Sequence, residues 1–177
     1  MAILDIVTFP EPSLKKPSVP VETIDDALKT FIEDMGETMF HDAGVGLAAP
    51  QVGVNRRVIV YNPNADQEQQ DPEDKTFTAL INPEILSKSK ETFTSEQEGC
   101  LSVIDYRADV KRHSSVTVRG VNINGETVEF EAHGLMSVIM QHEIDHLDGV
   151  LFIDRISALK RAMYTKKRLK QLKNKNE

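Results

Sequence analysis

Two histidines four residues apart with a glutamate between them, His142-Glu143-Ile144-Asp145-His146, are the part of this chain most able to do chemistry. On a helix, side chains four apart project from the same side, so His142 and His146 can grip one ion. Glu143 then lies about 100° round the axis, where it can face a metal-bound water without ligating the metal. A chance HExxH pattern in a chain of this length has a probability on the order of 1 per cent. The competing reading is a helix whose histidines are only packed or solvated. Burying two unpaired imidazoles costs free energy, whereas coordination satisfies one nitrogen of each and leaves the other for a supporting partner.

A third ligand must come from elsewhere. No histidine follows His146, and Asp148 and Asp154 are the acidic candidates downstream. Cys100, the only cysteine, is the stronger choice: it lies beside Gly99 after a strand region, and a bare surface thiol would be an oxidation hazard. A buried structural cysteine is the alternative. One cysteine with two histidines leaves a tetrahedral position open for water. Ferrous iron, zinc, cobalt and nickel all suit such a ligand set.

These residues need a rigid mounting. Leu135, Met136, Val138, Ile139 and Met140 run into His142 with apolar groups on more than one face, the pattern of a largely buried central helix. Ile24, Leu28, Phe31, Ile32, Met35 and Met39 recur at helical spacing behind a capped start at Thr23 to Asp26. The small-residue segment Gly44-Val45-Gly46-Leu47-Ala48-Ala49-Pro50-Gln51 brings backbone close to another surface, either as a turn before a strand or as an edge that pairs with an extended ligand. Residues 57 to 61 read as a buried strand, 78 to 81 and 85 to 86 as further short strands. Residues 115 to 121 and 126 to 131 flank Asn124-Gly125 as a hairpin. Four prolines in the first 20 residues indicate an extended arm, and residues 62 to 75 a polar, mobile loop without catalytic duty. From Ser157, Leu159, Ala162, Met163, Leu169 and Leu172 among basic residues indicate a helix docked at its start and fraying later. The fold class is α+β: one domain of short, mainly antiparallel sheets around the central HExxH helix, plus a C-terminal helix. Its division is a catalytic unit at 1–156 and a basic helical extension at 157–177.

Composition narrows the setting. A chain of 177 residues, 40% hydrophobic and 28% charged, suits one globular domain, and no apolar run approaches a membrane span. A lone cysteine and no secretory or organellar leader favour the cytoplasm. The net charge of −7 hides an asymmetry, because residues 160 to 177 hold eight Lys or Arg and one acid, leaving a body at −14. Such a body repels DNA, while the tail can still dock on phosphate or serve only as a solvated helix.

Three segments in order, residues 44 to 51, Glu98-Gly99-Cys100-Leu101-Ser102, and Gln141-His142-Glu143-Ile144-Asp145-His146, together resemble the peptide deformylase family over roughly residues 4 to 156. The resemblance implies a metallohydrolase that removes the formyl group from N-formylmethionyl nascent polypeptides. Cys100, His142 and His146 would bind one divalent ion, Fe²⁺ favoured over Zn²⁺, Ni²⁺ or Co²⁺. Metal-hydroxide attack would release formate, with Glu143 as general acid and base. The Gln51 side-chain amide and the Leu101 backbone N–H would stabilise the oxyanion. Gly46 would hydrogen-bond the extended substrate, and Arg107 would contact its backbone or carboxylate. Leu135, Val138 and Ile139 share a helical face with the histidines, and with Val45 they form a pocket for the methionine side chain. The basic C-terminal helix would make transient contact with ribosomal RNA, as in some relatives. The chain departs from the family at Val103-Ile104, where proline is common, and at Glu96, where some relatives present an aliphatic side chain. Two other accounts compete: a zinc peptidase, and a non-catalytic metal-stabilised binding protein.

Overall fold

A computed structural model describes residues 2–67 and 74–175. Its helices are α1 (Asp26–His41), α2 (Gly134–Leu147) and α3 (Ala158–Lys175). Its strands are β1 (Gly46–Ala48), β2 (Val58–Tyr61), β3 (Thr78–Lys88), β4 (Thr92–Cys100), β5 (Val103–His113), β6 (Ser115–Val121) and β7 (Thr127–His133). Five strands form one antiparallel sheet in the order β1-β2-β3-β6-β7, while β4 and β5 pair separately as a hairpin. This is the α+β arrangement expected, with the HExxH helix at its centre.

Strand periodicity explains the layering. Ile59, Tyr61, Leu80, Val116 and Val118 join α2 residues Ile139, Met140, Ile144 and Leu147 in one apolar cluster. Their immediate neighbours Val58, Val60, Ala79 and Ile81 point the other way, onto Leu28, Ile32, Met35 and Met39 of α1. Alternate residues thus feed two cores, which is why β2 is apolar throughout and buried on both faces. The opposite flank of α2 faces the β4–β5 hairpin, behind which Phe152 and Tyr164 form a third cluster with Leu14 and Val110.

Local chemistry sets the boundaries. Asp25 caps α1, its Oδ1 accepting from the Leu28 N–H at 2.8 Å, so the cap falls within the expected Thr23–Asp26 window. The two short strands expected on either side of Pro83 are one continuous β3, whose register shifts between Ile81 and Glu84. Proline cannot donate to the ladder, and Asn82 at φ 49° carries the irregularity while its side-chain amide bonds both backbone groups of Val21. The hairpin at Asn124-Gly125 forms as its turn residues demand, with Gly125 at φ 82°. The N-terminal arm is tied down: the Val7 N–H donates to the Gln51 carbonyl at 2.7 Å and the Phe9 N–H to the Ser102 carbonyl at 2.8 Å. Part of the expected loop at 62 to 75 lies outside the described residues.

The C-terminal helix docks differently from expectation. Leu159, Met163 and Leu169 are exposed, and Tyr164 and Arg168 face inward instead. Tyr164 packs on Tyr106 and Phe9, and the Arg168 Nε–H donates to the Phe9 carbonyl at 3.2 Å. A long side chain with a polar tip can bury its stem and still satisfy its head on backbone, which hydrophobicity ranking alone does not anticipate.

Candidate metal centre and substrate cleft

Every residue of α2 from Ser137 to Leu147 is buried, so the His142 and His146 rings are held by packing before any ion is considered. The hairpin brings Cys100 to them from the end of β4. The Cys100 Sγ lies 3.2 Å from His146 Nε2, which lies 3.3 Å from His142 Nε2. All three ligand atoms fall within 4.8 Å of one another. Tetrahedral coordination at ordinary metal–sulfur and metal–nitrogen lengths gives ligand edges of roughly 3.3 to 3.6 Å, so the set closes on a single divalent ion. Asp148 and Asp154 drop out as ligands, because Asp148 pairs with Arg57 at 2.8 Å and Asp154 with Lys15. His41 pairs with Asp42, His133 with Glu131, and the His113 Nδ1 bonds the Ser89 carbonyl, all away from the triad.

One layer of partners fixes the ligands. His142 Nδ1 meets Glu98 Oε1 at 2.7 Å, which leaves Nε2 free to turn to the ion. Glu98 is gripped in turn by Arg112, whose Nε and Nη2 donate to its two oxygens at 3.1 and 2.5 Å. The Arg112 Nη1 reaches Asp145 of α2 at 2.8 Å, and Arg155 donates twice to the same carboxylate. Arg112 is 2% exposed, so this chain of charges welds the hairpin to the HExxH helix inside the protein. Burial works against the Glu98 anion, but the His142 and Arg112 hydrogen bonds outweigh it and bring its pKa down to about 2. Burial also opposes charge on His142, yet Cys100 and Glu98 beside it raise its pKa well above the ordinary value, so a proton and a metal compete for this ring. His146, buried and next to His142, is shifted well down and remains a neutral donor.

Glu143 is set apart from the ligands. Burial lifts its pKa to about 7, and its Oε2 has no hydrogen-bond partner among the described residues. Gly46 lies so close that a Cβ there would sit 2.4 Å from Glu143 Oε1. The glycine of β1 therefore makes the space that the carboxyl occupies. Gln51, 2% exposed, is oriented by the Ala48 N–H, which donates to its Oε1 at 2.9 Å. Its Nε2 then points to Cys100 Sγ at 3.4 Å and to Ser102 Oγ at 3.2 Å.

A cleft of about 1040 Å³ opens over these groups, lined by Val45, Gly46, Gln51, Leu101, Arg107, Leu135, Val138, Ile139, His142 and Glu143 among others. Val138 and Ile139 are buried in its wall, whereas Val45 and Leu135 are exposed at its rim. Arg107 is an exposed rim residue whose Nη1 donates to the Gln97 carbonyl at 3.2 Å. Ile104 and Glu96, the two departures noted above, line the same cleft.

The chain matches the family model described as polypeptide deformylase over residues 3–162. The chain belongs to the polypeptide deformylase family. It is 45% identical to the peptide deformylase of Desulfosudis oleivorans over 98% of this chain and 96% of that protein. Against the peptide deformylase of Syntrophobacter fumaroxidans it is 47% identical, with 98% of each covered. The crystal structure of a peptide deformylase from Legionella pneumophila superposes with a TM-score of 0.83 at 39% identity, covering 98% of both chains. That of Ehrlichia chaffeensis peptide deformylase in complex with actinonin gives 0.86 at 36%, covering 97% of this chain and 98% of that one. For a deformylase, a metal held by one cysteine and two histidines accounts for the mutually facing ligand atoms.

Arg112, Asp145 and Arg155, the ion network behind the ligands, are not among the residues singled out from the sequence. A signal for Arg112 was present: it follows Ala108 and Val110 at every second position of β5, an inward-facing register in which a cation must find buried acids. Its partners come from β4 and α2, and nothing in local spacing names them.

Proposed function

We propose that this chain hydrolyses the formyl amide of N-formylmethionyl peptides with Glu143 as general acid and base, yielding formate and a free amino terminus. The observation that carries the reading is the separation of roles at one end of the cleft: three ligand atoms converge while a buried carboxyl stands beside them and outside the set. When bound, a divalent ion supplies Lewis-acid polarisation of the attacked carbonyl and acidifies water. Glu143, poised near neutrality by burial, takes the proton of the attacking water and returns it to the departing amine nitrogen. Gln51 Nε2, pre-aimed by the Ala48 N–H, donates to the oxygen on which charge develops, with the Leu101 N–H as the second donor. Because the Gln51 amide is held through its Oε1 before substrate arrives, little reorganisation of that donor is needed as the charge forms.

Substrate orientation follows from the edge of the sheet. β1 ends the strand order, so Gly46 offers backbone groups to an extended peptide as an added strand. The methionine side chain enters between Val138 and Ile139, with Val45 and Leu135 closing over it, and Arg107 meets the peptide beyond. Fe²⁺ is the metal favoured, with Zn²⁺, Ni²⁺ and Co²⁺ competent by the same ligand chemistry. Residues 1–156 form the catalytic unit and 157–177 its basic extension, working in the cytoplasm with transient ribosomal RNA contact through α3. No helix among the described residues is long and apolar enough to cross a membrane. Product analysis separates deformylation from the rival zinc peptidase activity: a formylmethionyl peptide incubated anaerobically with the ferrous protein yields formate and an otherwise intact peptide. Appearance of internal fragments without formate would overturn the assignment.

A further inference from the structure

A second groove, of about 500 Å³, runs between β5 and α3. It shares Gln97, Tyr106 and Arg107 with the catalytic cleft, so the two adjoin along these residues. On its far side, Lys160, Met163, Tyr164 and Lys167 stand at helical positions i, i+3, i+4 and i+7, one stripe of α3 facing the hairpin. Lys160 and Lys167 are exposed and enter no ion pair among the described residues. Asp109 is the one acid of the lining, and its Oδ1 is already engaged by the Gln97 backbone N–H at 3.0 Å. With Arg107, the groove sets three cations against that single acid, above a floor of Tyr106, Ala108 and Tyr164.

We propose that this groove is a distal subsite for the substrate itself, taking acidic side chains that lie downstream of the formylmethionine. The inference rests on the deformylase reading above. A peptide added to the edge of β1 and passing Arg107 is led by the shared residues into the groove. Unpaired cations above aromatic and aliphatic surface suit Asp and Glu side chains, whose carboxylates meet Lys160 and Lys167 while the peptide backbone lies on Tyr106 and Met163. This preference contrasts with the catalytic cleft, whose rim carries Asp42, Glu96 and Asp105. Acidic residues are therefore disfavoured close to the methionine and favoured farther along.

The test uses the full chain loaded with metal and three formylmethionyl peptides of equal length, bearing glutamate, glutamine or lysine at the same downstream positions. At low salt kcat/KM for the glutamate peptide exceeds that for the glutamine peptide by about three- to tenfold, the range that one or two exposed charge pairs supply. The ratio falls toward one as salt screens the pairs. In the double variant Lys160→Glu, Lys167→Glu the order inverts and the lysine peptide becomes the best substrate. Equal kcat/KM for all three peptides overturns the subsite while leaving the reaction intact. A glutamate preference that survives the double variant does the same and leaves these lysines to another anion such as RNA. No formate from any peptide removes the reaction and the subsite with it.

Discussion

At the scale of single residues, the proposed chemistry needs a carboxyl kept beside the ligand atoms and outside their set. Glu143 achieves this through its place on the helix and through Gly46, whose missing Cβ leaves room for Oε1. Gly46→Ala therefore displaces the carboxyl while touching no ligand. The expected result is a kcat lower by on the order of a hundredfold, the scale of effect of a small misplacement at the reacting centre, with metal content unchanged. A kcat equal to that of the wild type would show that the contact between Gly46 and Glu143 is not needed. The shared facing of His142 and His146, with Glu143 outside their set, was legible in the sequence because helical spacing translates directly into facing. Cys100 was legible by its chemistry and not by its distance, since only the hairpin turn brings it to the helix. Leu159 and Met163 misled for the opposite reason: apolar residues in a charged helix need not be its docking face when Tyr164 and Arg168 fill that role.

Between elements, the Glu98–Arg112–Asp145–Arg155 chain carries the alignment of hairpin to helix. Removing the central cation takes two hydrogen bonds from Glu98 and one from Asp145, leaving His142 and Arg155 as their respective partners. Arg112→Met should destabilise the metal-free protein by about 3 to 5 kcal/mol in a denaturant titration, the cost typical of breaking a buried ion pair. A loss within experimental error would mean that packing alone holds the hairpin. The pH dependence has a definite sign. The folded pKa of Glu98, about 2, lies below its ordinary 4.5, so its contribution is complete above about pH 4.5 and is lost as pH falls toward 2. In Arg112→Met the folded pKa rises, and the acid-unfolding midpoint moves to higher pH. Strands β2, β6 and β7 were readable from alternation and turn residues, whereas the β4–β5 hairpin was not, because β4 is exposed along most of its length and shows no apolar alternation, and neither was the continuity of β3 across Pro83. There the side-chain amide of Asn82 replaces ladder bonds in a way no periodicity encodes.

For the whole molecule, charge is divided between an acidic body and a basic helix, but not all of the helix's charge is available. Arg168 is buried on the Phe9 carbonyl and Arg161 lies 3.7 Å from Asp154, so in the proposed ribosome contact the lysines of the outer faces would carry the long-range attraction. Cosedimentation with ribosomes should weaken when these exposed lysines are replaced by glutamine and when salt is raised. Binding that is indifferent to both would assign ribosome contact to the catalytic body or to nothing. Replacement is preferable to truncation because α3 also supplies Tyr164 to the packing behind the hairpin. Formate release and bound metal, measured in the same anaerobic samples of wild type and Glu143→Gln, separate proton transfer by Glu143 from metal binding. One divalent ion per chain is expected in both, with the rate of the variant lower by about 10² to 10⁴. Full formate release by a metal-replete Glu143→Gln protein would contradict that proton-transfer role.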